Sequence, residues 1–345
     1  MTSSLRVDVP FAWLEAGSTI EGAAVVAERG AIAYIGPAVS APTADERLEL
    51  DAFLMPAFAD RHVHIRLSDP AAVLANGVVA VRDLAWIPDE VFALADASEL
   101  ATFNGPVIRA AGPMLTARGG YPTRSAWAPP GTALEVEGPE HAAGAVRDLA
   151  SRGAAAIKVS LNAEAGPTPT DGELAAIVRA ARGADLPVTA HVQGKGQAER
   201  AVGAGIDEFA HAPWSERLSD ELLGFAARSM RVVSTLDILS FGEITPELRV
   251  AVDNLVRFRA AGGTVVYGTD LGNGEVPAGI DVREALLLHE AVRMAPEEVL
   301  DAMTASRLEI GAPADLVAVA GDPRARLEAL GDVRLVVRAG RIVRR

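Results

Sequence analysis

The chain contains no cysteine, which excludes disulfides, thiolate metal sites and cysteine nucleophiles together. Any metal ion must then be held by nitrogen and oxygen. Positive charge is also scarce: 32 Lys and Arg residues against 46 Asp and Glu give a net charge of −14, which repels nucleic-acid phosphate and anionic lipid. No run approaches ~18 consecutive apolar residues, so no transmembrane helix is expected. The segment Met1-Thr-Ser-Ser-Leu-Arg6 lacks a basic stretch followed by an apolar one, so no secretory signal is expected either. These absences lead to the expectation of a cytoplasmic protein with no nucleic-acid or membrane partner, and leave homo-oligomerisation open. A composition of 50% hydrophobic and 23% charged residues is that of an ordinary globular protein. A length of 345 residues leaves room for one large domain and a small one.

What the chain does have is organised around Met55-Pro-Ala-Phe-Ala-Asp-Arg-His-Val-His64, an apolar run ending in two histidines. In a β-strand side chains alternate between faces, so His62 and His64 point the same way and can share a metal ion. Short β-like stretches with turn punctuation fill both ends of the chain, with hairpin signals at Arg29-Gly30 and Ala339-Gly340. They suggest one small β-sandwich built from both termini, residues 1–54 and 310–345. Between them, residues 55–309 alternate apolar runs with helix-like segments such as Leu174–Arg182, opened by the capping box Thr170-Asp-Gly-Glu173. Eight strands are expected, ending near His64, Asp83, Leu115, Ser160, His191, His211, Leu236 and Asp270. Eight β/α units in about 250 residues match the size of a (β/α)8 TIM barrel, an α/β fold. A doubly wound open sheet is the alternative, but no G-x-G-x-x-G fingerprint follows an early strand. Two long connections, 116–138 and 271–280, would lie over the C-terminal mouth of such a barrel.

Barrel enzymes place their chemistry at the C-terminal ends of the strands. Metal-competent groups at those ends are His62, His64, Lys158, His191, His211 and Asp270, and they include four of the chain's six histidines. The remaining two, His141 and His289, fall in helix-like segments and read as structural or solvated.

With these residues in hand, the chain resembles the amidohydrolase superfamily in its binuclear-metal, carboxylated-lysine branch. The likeness to its prolidase-like and imidazolonepropionase-related members runs through Val79-Ala-Val-Arg-Asp-Leu84, Ala156-Ile-Lys158, Ala204-Gly-Ile-Asp-Glu-Phe-Ala-His211 and Ala314-Asp-Leu-Val-Ala-Val-Ala-Gly-Asp-Pro323. The resemblance implies two divalent ions, most simply zinc. One would be held by His62, His64 and Asp270, the other by His191 and His211, with a carboxylated Lys158 and a hydroxide bridging them. It implies hydrolysis of an amide-type C–N bond in a small molecule such as an N-acyl amino acid, dipeptide or cyclic amide. Asp270 would act as base and then acid, and Lys158 would act through its carbamate.

The same site would suit lactone, ester or carbamate carbonyls. A mononuclear deaminase of amino-heterocycles is the rival within the superfamily, but such enzymes resemble one another in a Glu three residues after the strand-five His. Here that place is Gly194. Prolidase-like enzymes resemble one another in Gly-Gly-His after strand three, where this chain has Gly119-Gly120-Tyr121. The loops offer Tyr121, Trp127 and Trp214 as pocket walls, and Arg118, Arg124 and Lys195 as partners for a substrate carboxylate.

Overall fold

The computed structural model describes residues 4–100 and 102–345. Alternation at the two ends of the chain produces a single eight-stranded sheet. Leu5–Glu15 pairs antiparallel with Ser18–Glu28, which pairs antiparallel with Ala31–Pro37. Their connection, Arg29-Gly30, has both residues at positive φ (52° and 84°), as a twisted two-residue hairpin requires. Leu5–Glu15 also pairs with Glu46–Glu49 and Phe53–Pro56, and Phe53–Pro56 pairs with Leu316–Val319 from the far end of the chain. Val333–Arg338 and Arg341–Arg344 complete the sheet through the Ala339-Gly340 turn, again at positive φ (45° and 74°).

The period of two divides this sheet between two cores. Leu54, Leu316, Ala318, Leu335 and Val337 pack with Leu5, Val7 and Val25 on one side. The intervening Phe53, Met55, Val317, Val319 and Val336 belong to the main core of the middle segment. The terminal strands are thereby fixed to the part of the chain that carries the histidines.

The middle segment forms two parallel sheets. One holds Phe58–Val63, Val78–Asp83 and Val107–Ala110. The other runs in the order Ala133–Val136, Met114–Ala117, Ile157–Asn162, Val188–Gln193, Glu208–Phe209, Arg231–Val233, Thr264–Val266. Helices intervene along it, among them Asp171–Gly183, capped by Thr170 in the expected capping box. A single closed sheet of eight strands is expected from the sequence, and the pairing departs from that at strand three. The expected run Pro106–Leu115 is broken at Ala111-Gly112-Pro113, where Gly112 has φ 78° and Pro113 has no N–H to give to a ladder. Val107–Ala110 stays with the smaller sheet and Met114–Ala117 joins the larger. Backbone bonds still bridge both seams: Ala155 N–H to the Ala110 carbonyl at 2.8 Å on one side, Asp270 N–H to the His62 carbonyl at 2.8 Å and His64 N–H to the Leu271 carbonyl at 2.7 Å on the other. The later strands are shorter than expected, and His211 and Asp270 lie in the loops just beyond them. Among the described residues, no helix is long and apolar enough to cross a membrane.

Candidate metal centre

The seam between the first and last parallel strands brings the first three polar groups together. Asp270 N–H donates to the His62 carbonyl. The Asp270 carboxylate then reaches both rings, its Oδ1 lying 3.2 Å from His62 Nε2 and 3.3 Å from His64 Nε2. Asp270 has φ 58°, a left-handed conformation that a non-glycine residue adopts only where its surroundings hold it. His211 joins from the loop after Glu208–Phe209, its ring centroid 4.4 Å from that of His62, and His191 stands 4.9 Å from His211. The Lys158 side chain is fully buried beneath them and lines the same cavity.

Hydrogen bonds at the far side of each ring decide which nitrogen faces inward. His62 Nδ1 donates to the Ala210 carbonyl at 2.7 Å and His64 Nδ1 to the Ala85 carbonyl at 3.2 Å. His211 Nδ1 bonds the Thr235 hydroxyl at 3.0 Å. His191 is turned the other way, with Nε2 3.3 Å from both Asn162 Nδ2 and Gln193 Oε1. Burial holds His62 and His211 well below their ordinary range and brings His191 to about 4, so all three are neutral imidazoles at neutral pH. Burial alone would raise Asp270; positive charge on the surrounding rings of His62, His64 and His211 would hold it well below the usual carboxylate range, and with those rings neutral a bound cation would supply that charge.

The result is a group of nitrogen and oxygen atoms facing one another across the cavity. With its Nδ1 committed to the Ala210 carbonyl, the neutral His62 turns an Nε2 lone pair toward Asp270 Oδ1, and His64 Nε2 faces the same oxygen. Acceptors at this spacing repel one another unless a cation lies among them. His62, His211 and Asp270 each offer an atom within 4.8 Å of the others' and form a candidate metal site of nitrogen and oxygen ligands. Lys158 Nζ is also buried without a partner, and burial lowers its pKa to about 7.

The surrounding cavity has a volume of about 370 Å³. Tyr121 stacks on His191 at 5.1 Å, and Trp214 stands edge-on to His191 and His211 at 5.5 and 5.4 Å. The Trp127 ring lies 4.5 Å from His64, and its Nε1 donates to the Tyr121 hydroxyl at 3.1 Å. Arg118, Arg124 and Lys195 are exposed and lie outside the cavity wall, with Arg118 paired to Glu137 at 3.2 Å. His141 and His289 make local backbone bonds within their own segments. Gln193, Ile238, Phe241 and Asn273, none of them marked by a motif, also line the cavity. Gln193 was open to detection, since alternation puts it on the same face as His191. The other three sit on loops, where no period marks them.

Residues 53–343 match the model of the amidohydrolase family. The chain belongs to the amidohydrolase family, and is a hydrolase acting on carbon–nitrogen bonds. Solved structures share its fold over nearly the whole length. A Xaa-Pro dipeptidase with methionine bound in its active site superposes with a TM-score of 0.84 at 20% identity, covering 99% of each chain. A. niger ochratoxinase gives 0.84 at 21% identity, covering 99% of this chain and 96% of its own. A molinate hydrolase gives 0.80 at 16% identity, covering 99% and 94%. No curated protein sequence matches the chain.

Proposed function

We propose that this protein is a cytoplasmic, binuclear metal-dependent hydrolase of an amide-type C–N bond in a small-molecule substrate. In this reading the two parallel sheets act together as a (β/α)8 barrel over residues 55–309, and residues 1–54 and 310–345 form a composite β-sandwich. His62, His64 and Asp270 would hold one divalent ion, His191 and His211 the other, and a carboxylated Lys158 would join the two. Zinc suits this set of imidazole and carboxylate ligands. The observation that carries the reading is the convergence of His62 Nε2 and His64 Nε2 on the buried Asp270 Oδ1, at 3.2 and 3.3 Å.

Bound divalent ions would polarise a carbonyl and lower the pKa of water toward neutrality. The rest falls to the chain's own residues. Lysine reacts with CO2 only as the neutral amine, and burial lowering Lys158 to about 7 makes that form abundant. Asp270, ionised and beside three imidazoles, is placed to take a proton from attacking water and return it to the departing nitrogen. The Tyr121 hydroxyl accepts from Trp127 and keeps its own proton, since burial pushes it up to about 12; it can donate to a substrate carbonyl oxygen. Trp127 and Trp214 remain candidate substrate contacts, whereas Arg118, Arg124 and Lys195, exposed outside the cavity, are poorly placed for that part.

The test is removal and return of metal. Chelation should abolish hydrolysis of every amide accepted, and zinc, manganese or cobalt should restore it. Activity that survives complete metal removal would contradict the reading. The alternatives of lactone, ester or carbamate hydrolysis would show in the same panel of substrates. Deamination has less support, since Gly194 occupies the place of the ring-protonating Glu.

A further inference from the structure

Beyond the ligand cluster, the described residues that line the cavity carry no charge. Met114, Tyr121, Trp214, Ile238 and Phe241 supply apolar and aromatic surface. Gln193 and Asn273 supply the remaining polar groups, and both are already engaged. Gln193 Oε1 accepts from Asn162 at 2.8 Å, and its Nε2 donates to Glu164 Oε2 at 2.7 Å, so the charge beside it is negative. Asn273 Nδ2 donates to the Asp270 carbonyl at 3.3 Å.

The placement of Phe241 is built in. Its N–H donates to the Asp237 carbonyl at 2.7 Å and its φ is 46°. A Cβ on Gly274 would come within 2.7 Å of the ring, so glycine there makes room for it. Phe241 is 41% exposed while lining the cavity, an aromatic face offered to whatever enters. Away from the metal ligands, a substrate carboxylate in these surroundings would lose its hydration and meet no cationic side chain, because Arg118, Arg124 and Lys195 lie outside.

We propose that the site takes an uncharged substrate in which the scissile carbonyl–nitrogen bond carries an aromatic group, and that it discriminates against substrates with a carboxylate near that bond. Dipeptides and N-acyl amino acids fall on the rejected side. The proposal rests on the hydrolase reading above and narrows it. For an arylamide, the C–N bond breaks, the OH of water joins the carbonyl carbon, and the remaining proton passes by way of Asp270 to the departing arylamine.

Acetanilide and 4-acetamidobenzoate differ by one carboxylate and test the proposal directly on the full zinc-loaded chain. Hydrolysis is followed by kcat/KM, and binding by the fluorescence of Trp214 and Trp127. We expect at least about 100-fold preference for acetanilide in kcat/KM and the same order in binding. Ile238→Lys, which puts a cation in the wall, should shrink the preference at least 10-fold by improving the acid. Equal or better handling of 4-acetamidobenzoate by the unaltered chain would overturn the proposal and leave the hydrolase reading standing. If neither compound is cleaved, binding decides: preference for acetanilide supports the neutral pocket while counting against the hydrolase reading, and equal or absent binding overturns the pocket.

Discussion

Asp60 and Thr269 stand 209 residues apart in sequence, yet one carboxylate takes both hydrogen-bond donors of the threonine: the backbone N–H at 3.1 Å and the hydroxyl. The same carboxylate accepts the backbone N–H of His62 at 3.0 Å. Asp60 is buried and fixes the end of the first parallel strand against the residue that precedes Asp270. None of these hydrogen bonds goes to a metal-competent side chain, so they serve to hold those side chains in register.

Asp60→Ala should therefore lower metal affinity by about 10–100-fold, the usual cost of removing a group that orients ligands. The expected signature is a fall in kcat, recovered in part at high metal concentration, with KM little changed. Wild-type metal affinity in a folded variant would show that the register is held by other means.

Asp270→Asn should abolish turnover, by at least about 10³-fold, while retaining most of the metal. Asparagine keeps an oxygen ligand but cannot take the proton. A variant that keeps near wild-type activity would remove Asp270 from the role of base and acid.

Lys158→Ala should leave fewer than two ions per chain, with partial recovery of metal and activity on adding a short carboxylic acid such as formate or propionate. Full occupancy without any effect of added acid would contradict the carbamate.

A fourth expectation concerns stability. Burial, with the nearby charge of Asp237, raises the Asp281 carboxyl to about 6. A raised acid binds its proton more tightly in the folded chain, so between about pH 4 and pH 6 stability falls as pH rises. Asp281 also caps a helix through Arg283 N–H at 2.9 Å and Glu284 N–H at 3.3 Å, bonds an asparagine oxygen can accept. Asp281→Asn should raise the Tm by about 2 °C at pH 8 and leave it unchanged near pH 4. An equal shift at both values would place the effect elsewhere than in the charge.

Much of this was legible in the sequence where the signal is local. Alternation is enough to put His62 and His64 on one face, and the two-residue turns at Arg29-Gly30 and Ala339-Gly340 declare themselves by their composition. The grouping of Lys158, His191, His211 and Asp270 followed from reading strand ends. The break at Gly112-Pro113 was missed because the apolar run passes through it without a change in hydropathy, although the proline was there to be read. The neutrality of the cavity was hidden for a different reason. Arg118, Arg124 and Lys195 lie in the right loops, and only the folded chain shows that they face outward. Phe241 and Gly274 depend on one another across two loops, a relation with no trace in either segment alone.

The most direct test is a count of metal ions per chain on protein purified without chelator, with bicarbonate present. Two divalent ions per chain is the expected result. One ion would point to the mononuclear arrangement in which Lys158 has no ligand role, and none, after exposure to excess zinc, would contradict a metal centre at His62, His64 and Asp270 altogether.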